Sequence, residues 1–517
     1  MSATASARAA RGAGLLVIQG LSANVFSIIY FAFVARLLPS VADYGALTAV
    51  GLLVNLFYVG LSIFQPVAGT KFISSFLATG QKGEAKGVFA RVAGFATLSG
   101  GLAAAFTYAT APFLVASLLG QGQAQFVHTL QLASVDVLLL SVSQALIGLC
   151  TGIQEYKVVS FSGIASSAVR SFGSIAALLL GGGVNGVVLT WILGDMTNVA
   201  LLSGSSIAFF RGVATRPTPL TPLFRYSLPL YLSALVGYLQ GNLDRYILVG
   251  IAGVVSLGVY SPAVAASGVI TGMLGSISNA LLPHVSGVYE AKGGGPMVST
   301  LRGASRFVLL AYVPIAVGVA TLAYPIISLF VGSRYIAGAP VLALLAASSV
   351  LQALVLPSTI VVYVVGRTRI NLEASVMAVV TSMALSLLLV APLGSLGAAL
   401  ARVGLLLVNS AFFAYAVSRL VPLPYESRAM RNSLAGSAVM ALVLFALQAV
   451  DGGRYLLPIY ILIGFLVYAL MLRLLRAVDP EDLEMVKHVL PDSFGPLVTC
   501  AGRLVGVGLR AEVVEGH

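Results

Sequence analysis

The residues in this sequence that could do chemistry are the ionisable side chains that interrupt long apolar stretches. Asp136, Arg170 and Asp195 each lie near the middle of one of three consecutive stretches. With a helical rise of about 1.5 Å per residue, all three would lie about 14–16 Å from the outer end of a membrane helix. An ionisable group there costs about 2.5–3.5 kcal/mol unless it is paired or hydrated. We therefore predict a cluster of the three side chains, which either only holds the helices together or also handles a substrate or coupling ion.

A second set of charges falls on the seventh and twelfth apolar stretches, which carry Asp244, Arg245 and Arg402 at similar depth. Neighbouring residues of a helix point about 100° apart, so Asp244 and Arg245 cannot face one partner. We expect one of the two to face the interior of the protein, with snorkelling to the membrane interface as the alternative. Arg36, at the end of the first stretch, is predicted to be an interfacial anchor.

The first and seventh stretches also carry polar stripes. Their members are Gln19, Ser22, Asn24 and Ser27 on the first, and Gln240, Asn242 and Asp244 on the seventh. Such faces suit two helices that line a shared water-filled cavity. Ordinary hydrogen bonds between membrane helices, at about 0.6–2 kcal/mol each, are the alternative.

No other residue pattern indicates a catalytic or metal site. Cys150 and Cys500 lie far apart, and the four histidines have no metal-ligand spacing. The sequence contains no phosphate loop, no Gly-x-Ser-x-Gly motif and no zinc motif. We therefore predict no enzyme activity, no metal and no cofactor, apart from a coupling ion, H⁺ or Na⁺, that the sequence does not identify.

The elements that position these residues must be membrane helices. The chain has 517 residues, of which 58% are hydrophobic and 9% charged, whereas a soluble domain carries about 25% charged residues. A membrane span needs about 20 apolar residues. This length criterion predicts an all-α polytopic membrane protein with fourteen spans. Their predicted centres are Ala23, Leu56, Ala103, Leu138, Val169, Thr197, Leu239, Val269, Val317, Leu351, Met383, Leu407, Leu442 and Ile463.

The distribution of positive charge predicts the orientation. Of the 29 lysines and arginines, 23 fall in segments that would be cytoplasmic, and only Arg334 and Arg454 fall in outer loops. This bias obeys the positive-inside rule and places both termini in the cytoplasm of a protein of the cell (plasma or inner) membrane. The net charge of +12 fits contact with anionic lipid headgroups and does not require nucleic acid.

The chain also repeats itself. Gly45 and Gly258 follow the first and seventh spans at an offset of 213 residues, and Gly152 and Gly366 follow the fourth and tenth at an offset of 214. Six spans per repeat predict two lobes related by a pseudo-two-fold axis along the membrane normal. The predicted parts are an N-lobe at 1–211, a Pro-rich linker at 212–225, a C-lobe at 226–420, two extra C-terminal spans at 421–478, and a cytoplasmic, interfacial tail at 479–517.

Several short motifs resemble the polysaccharide flippase family of the multidrug/oligosaccharidyl-lipid/polysaccharide exporter superfamily. They are Ala35-Arg36-Leu37-Leu38-Pro39 followed by Asp43-Tyr44-Gly45, Gly152-Ile-Gln-Glu-Tyr-Lys157, Asp244-Arg245-Tyr246, Gly332-Ser-Arg-Tyr335, and Leu393-Gly394 through Gly397-Ala398-Ala399. The resemblance implies twelve to fourteen spans in two six-helix lobes. It also implies alternating-access flipping of lipid-linked sugars from the inner to the outer leaflet.

Within that superfamily, charge favours one substrate class. A multidrug antiporter for organic cations needs an acidic interior, but the first span has no acid, and the spans hold four arginines against three aspartates. This balance suits a polyprenyl or dolichyl phosphate that carries an oligosaccharide, because arginine binds phosphate through a fork of donors. The residues predicted to bind substrate are Arg245 first, then Arg36, Arg402, Asn24 and Asn242; the predicted ion-coupling or charge cluster is Asp136, Arg170, Asp195 and Asp244.

A membrane polysaccharide polymerase or glycosyltransferase is a third alternative, of another class. It would need a sizeable outer loop with catalytic acids, whereas the predicted outer loops are short and nearly uncharged. The expected partners are membrane lipids, the lipid-linked sugar, and glycosyltransferases or polymerases of the same pathway. We expect a monomer.

Overall fold

The computed structural model describes residues 3–61, 66–219, 221–450 and 456–477. Every regular element in these ranges is helical. The fourteen α-helices are α1 Ala3–Leu37, α2 Val41–Leu61, α3 Pro66–Ala78, α4 Lys82–Leu114, α5 Phe126–Gly152, α6 Tyr156–Leu179, α7 Gly183–Phe209, α8 Thr221–Lys292, α9 Gly294–Thr321, α10 Ala323–Phe330, α11 Ala339–Val364, α12 Thr368–Ser418, α13 Ser427–Val450 and α14 Leu457–Leu474. The predicted tail at 479–517, with Cys500, lies outside the described residues.

Two of these helices are each long enough for two membrane spans. Helix α8 has 72 residues, which at about 1.5 Å per residue far exceeds the ~30 Å hydrocarbon core of a bilayer. Its helical geometry is interrupted at Gly253, which has φ +77°, and that of the 51-residue α12 is interrupted at Gly394, which has φ +55°. Glycine adopts these left-handed conformations without steric cost, so each long helix divides there.

All fourteen predicted span centres lie within described helices, with two centres each in α8 and α12. Eleven of the described helical segments are long and apolar enough to cross a membrane. Helix α6 is not among the eleven, because its 24 residues include six serines and Arg170. The prediction of an all-helical, multi-pass membrane protein is confirmed.

The chain divides into two compact units. Of the described residues, those within 1–262, 330–332 and 382–398 form the first unit, and those within 263–329, 333–381 and 399–477 form the second. The predicted lobe boundaries remain a prediction. Helix α8 begins at Thr221, inside the stretch predicted as a linker. Pro222 permits this start, because a proline fits the first turn of a helix, where its missing N–H would have no partner.

Each unit has a buried apolar core. In the first unit, a core of small and aliphatic side chains from α3 to α7 includes Ile73, Leu149 and Leu202. The Cys150 thiol lies in this core, with its Sγ 3.2 Å from the Ser206 hydroxyl. In the second unit, the core joins α9 and α11 around the fully buried Tyr312. The candidate site lies in the first unit.

Candidate functional site

The three charges predicted at one depth do meet in the first unit. Arg170 Nη1 lies 2.7 Å from Asp195 Oδ2, and Arg170 Nη2 lies 3.8 Å from Asp136 Oδ2. The residues come from α6, α7 and α5, so the cluster joins three consecutive helices. The prediction that Arg170 approaches the two acids is confirmed.

A glycine in α7 makes room for the Arg170 side chain. A Cβ atom on Gly194 would lie 2.4 Å from Arg170 Cγ and 3.0 Å from the Ser166 carbonyl oxygen. The two helices therefore approach closely at Gly194, and the arginine stem crosses the α7 backbone there. One residue later, Asp195 presents its carboxylate to the guanidinium at the end of that stem.

The two buried aspartates differ in the number of hydrogen-bond donors that their carboxylates contact. The side chain of Asp195 is 5% exposed and that of Asp136 is 0% exposed. Besides the Arg170 bond, Asp195 accepts a long hydrogen bond of 3.5 Å from the Ser166 hydroxyl. Neither oxygen of Asp136 has a hydrogen-bond partner in the part of the chain that the structure describes. A buried carboxylate without donors is costly, so Asp136 is suited to take up a proton or a cation.

A polar cavity lies beside this cluster, also within the first unit. Its volume is about 340 Å³. The residues that line it come from α1, α2, α7 and α8 and are Tyr30, Tyr44, Leu47, Thr48, Gly51, Leu52, Asn55, Trp191, Tyr238, Asn242 and Arg245. Arg245 supplies a positive charge and none of these residues is acidic, so the lining is net cationic.

Arg245, the arginine that lines the cavity, is oriented by a neighbouring side chain of its own helix, α8. Arg245 Nη1 donates to Asn242 Oδ1 at 3.2 Å, and Asn242 Nδ2 in turn donates to the Tyr238 carbonyl oxygen at 3.0 Å. The buried Arg245 Nε has no hydrogen-bond acceptor among the described residues. The guanidinium therefore keeps donor capacity that an anionic ligand could use.

Asp244 and Arg245 have different surroundings, as neighbouring helical residues should. Arg245 lines the cavity, whereas Asp244 is buried and accepts a hydrogen bond from the Tyr260 hydroxyl. Asp244 was grouped in the sequence analysis with the charge cluster. That grouping remains a prediction; Tyr260, which donates to this carboxylate, lies on the other side of the Gly253 break.

Tyrosines join α8 to α2 along the cavity. The hydroxyls of Tyr238 and Tyr246 donate to the Leu52 carbonyl oxygen at 2.9 and 2.6 Å, and the two hydroxyl oxygens are 2.8 Å apart. Tyr231 donates to the Gly60 carbonyl oxygen at 2.5 Å, further along the same pair of helices. These bonds fix the distance between α2 and the part of α8 that carries Arg245.

Only part of the predicted substrate site lines this cavity. Arg245 and Asn242 do, whereas Asn24 and Arg36 are exposed residues of α1 outside its lining. Arg402 belongs to the second unit. Sequence reasoning missed the aromatic lining, although a signal was present: Trp191 lies one helical turn before Asp195 in the sixth span.

The fold and cavity together define a class: an all-helical, multi-pass membrane protein with a pocket lined by polar and aromatic side chains of its long helices. The chain belongs to the polysaccharide biosynthesis protein family, which it matches over residues 33–340, more than half of its length. The resemblance drawn from the short motifs is thereby confirmed.

A curated relative and several solved structures are similar to this chain. The probable low-salt glycan biosynthesis flippase Agl15 of Haloferax volcanii is 22% identical over 271 residues, which are 52% of this chain and 57% of that protein. The match thus spans little more than half of the relative's length. In fold, the lipid II flippase MurJ in an inward closed conformation has a TM-score of 0.70 at 15% identity, covering 88% of this chain and 97% of that one.

Drug transporters share the fold as well. An inward-facing multidrug resistance transporter of the MATE family has a TM-score of 0.64 at 14% identity, covering 77% of this chain and 94% of that one. At such identities, the structural likeness establishes the fold alone. The choice among substrates therefore rests on the chemistry of the cavity.

Proposed function

We propose that this protein is a flippase that moves a lipid-linked oligosaccharide from the inner to the outer leaflet by alternating access. The observation that carries the proposal is the polar cavity, in which Arg245 supplies a positive charge and no lining residue is acidic. Membership of the polysaccharide biosynthesis protein family supports the same substrate class. On this proposal the protein is a transporter and not an enzyme.

The physical problem for a flippase is the charge of its substrate. A phosphate headgroup must cross about 30 Å of hydrocarbon, where an unpaired charge is costly. An arginine offsets part of that cost, because its planar fork of N–H donors matches phosphate oxygens. A single cation also favours release, since a cluster of arginines would hold the phosphate too tightly for turnover.

Within the cavity, we assign the phosphate to Arg245 and give Asn242 the role of orienting it through their 3.2 Å hydrogen bond. For the coupling ion, H⁺ or Na⁺, we propose the cluster of Asp136, Arg170 and Asp195. Two aspartates and one arginine give this cluster a formal charge of −1. Asp136 is the aspartate without a hydrogen-bond donor among the described residues.

We further propose that the protein lies in the cell membrane with both termini in the cytoplasm. The bias of 23 cytoplasmic to two outer lysines and arginines supports this orientation. A substrate made at the inner face would come from membrane glycosyltransferases, and the flipped product would pass to a polymerase or transferase outside. A monomer suffices for this function, because the cavity is formed within one chain.

Reconstituted vesicles test the substrate class directly. The purified protein is incorporated into liposomes that contain a polyprenyl phosphate-linked sugar with a fluorophore on the sugar, and a membrane-impermeant reductant destroys the fluorophores of the outer leaflet. We expect the protein to expose the inner-leaflet pool to the reductant, and tetraphenylphosphonium not to be transported. Transport of the organic cation without flipping of the lipid-linked sugar would replace this proposal with a multidrug antiporter.

A further inference from the structure

The lining of the cavity contains Trp191, the single tryptophan of the sequence. The residue is only 8% exposed, and its atom Cη2 would lie 3.4 Å from a Cβ on Gly51 of α2. The indole N–H donates to the Tyr30 hydroxyl at 3.2 Å, and Tyr30 also lines the cavity. The two aromatic residues form one hydrogen-bonded wall, called the Tyr30–Trp191 wall below.

Arg170 contacts Trp191 of this wall from outside the cavity. Trp191 and Asp195 are four residues apart on α7, so they lie on the same face of the helix. The Arg170 guanidinium bonds Asp195 at 2.7 Å, and its Cζ lies 5.5 Å from the centre of the Trp191 ring, within the range of a cation–π contact. Arg170 does not line the cavity itself.

The chemistry of the Tyr30–Trp191 wall fits a sugar better than a phosphate. The wall carries no formal charge, so the anion belongs to Arg245 on α8. The Tyr30 hydroxyl accepts the indole hydrogen, which leaves its own proton for donation to a ligand. Aromatic rings attract the weakly positive C–H groups of a sugar through their negative faces. Asn55 and Thr48 add amide and hydroxyl groups to the lining.

We propose that the Tyr30–Trp191 wall is the sugar subsite of the cavity, and that Arg170 is a positioning residue that holds it in place. This inference rests on the proposed flippase function and divides its cavity into two parts. The phosphate binds at Arg245, and the first sugar ring binds against Tyr30 and Trp191. Arg170 acts on the sugar only through the tryptophan, with Asp195 and Asp136 anchoring its guanidinium.

Two soluble probes separate the subsites in the purified full-length protein. One is farnesyl phosphate with a single attached glucose, and the other is farnesyl phosphate alone. Titration calorimetry measures both affinities, and the emission of the single tryptophan reports on the wall itself. In the wild type, we expect the sugar-bearing probe to change Trp191 emission and the bare phosphate probe to leave it nearly unchanged.

Substitutions should then act on one probe or on both. Trp191→Phe and Arg170→Ala should lower the affinity for the sugar-bearing probe about three- to tenfold, which corresponds to the loss of an aromatic contact. The affinity for farnesyl phosphate alone should change by less than about twofold. Arg245→Ala should weaken both probes. Arg170→Ala should also increase quenching of Trp191 by acrylamide, and Arg170→Lys should restore part of the affinity because it keeps a cation near the ring.

Gly194→Ala gives a second route to the same test with every charged group retained. The added Cβ would lie 2.4 Å from Arg170 Cγ and must displace the stem of the arginine. Gly204→Ala on the same helix is the matched control, since no atom lies within 4 Å of its added Cβ. We expect Gly194→Ala to weaken the sugar-bearing probe selectively and Gly204→Ala to leave both affinities unchanged.

The outcomes distinguish this inference from the function it rests on. If the variants lower thermal stability but change neither Trp191 quenching nor the ratio of the two affinities, the cluster only holds helices together and the inference is wrong. If Trp191→Phe weakens both probes equally, the sugar subsite is wrong. If the wild type binds neither farnesyl probe, the proposed function itself fails.

Discussion

The contact between α2 and α8 gives the sharpest test of the packing around the cavity. A Cβ on Gly45 would lie 1.8 Å from the Val254 carbonyl oxygen and 2.9 Å from the Gly258 amide nitrogen, and one on Gly258 would lie 2.2 Å from the Val41 carbonyl oxygen. All three are backbone atoms, so no side-chain rotation can relieve the overlap. In Gly45→Ala, α2 must therefore move away from α8.

The cost of that movement can be bounded from the structure. Overpacking typically costs about 1–3 kcal/mol, and a clash with backbone falls at the upper end of that range. The shift also strains the bonds from Tyr238 and Tyr246 to the Leu52 carbonyl oxygen, each worth about 0.5–1.5 kcal/mol. We expect a loss of about 3–5 kcal/mol for Gly45→Ala.

Thermal unfolding in detergent is the assay. At about 2–4 °C per kcal/mol for a unit of 150–250 residues, a 3 kcal/mol loss lowers the unfolding temperature by about 6–12 °C. Gly60→Ala on α2 and Gly241→Ala on α8 are matched controls, because no atom lies within 4 Å of either added Cβ. The controls should be neutral or stabilising by up to about 1 kcal/mol, since alanine favours helix. Equal stability of Gly45→Ala and Gly60→Ala would refute the reasoning.

Three further substitutions test the charges. Asp195→Asn removes the negative charge that lies 2.7 Å from the Arg170 guanidinium. It should cost about 2–3 kcal/mol, less than the loss of a fully buried pair, because Arg170 is 30% exposed. A stability equal to wild type in thermal unfolding would contradict this. Asp136→Asn should change stability by less than about 1 kcal/mol, because Asp136 lies 3.8 Å from Arg170 and the bond between Arg170 and Asp195 persists. A loss as large as that of Asp195→Asn would contradict the conclusion that Asp195 is the stronger partner of Arg170. Arg216→Ala removes an ion pair with Glu84 in which the arginine is 71% exposed, so the same assay should detect a loss below about 1 kcal/mol.

The sequence predicted the spans because the bilayer imposes a length and a polarity on each of them. Even for α6, with Arg170 and six serines, the predicted centre at Val169 falls within the helix. The breaks at Gly253 and Gly394 were not predicted as kinks. A glycine in an apolar run does not reveal its φ angle, because the same residue also occurs in straight membrane helices.

For the candidate site, the sequence predicted how deep the charged residues lie in the membrane but not which way each helix turns them. The regular rise of a helix placed Asp136, Arg170 and Asp195 at one level, and the structure confirms that they meet. The rotation of each helix about its axis depends on packing against neighbours, which the sequence does not specify. Asn24 therefore proved exposed, while Tyr30 on the same helix lines the cavity.

The central claim, that Arg245 holds the phosphate of a lipid-linked sugar, is tested most directly by the rate of flipping in vesicles for wild type, Arg245→Lys and Arg245→Ala. Loss of a charged hydrogen bond of about 1.5–3 kcal/mol predicts a fall of about 10- to 150-fold for Arg245→Ala. Arg245→Lys should retain intermediate activity, because it keeps the charge but loses the fork of donors. Wild-type flipping by Arg245→Ala, with unchanged affinity for the anionic lipid, would contradict the account.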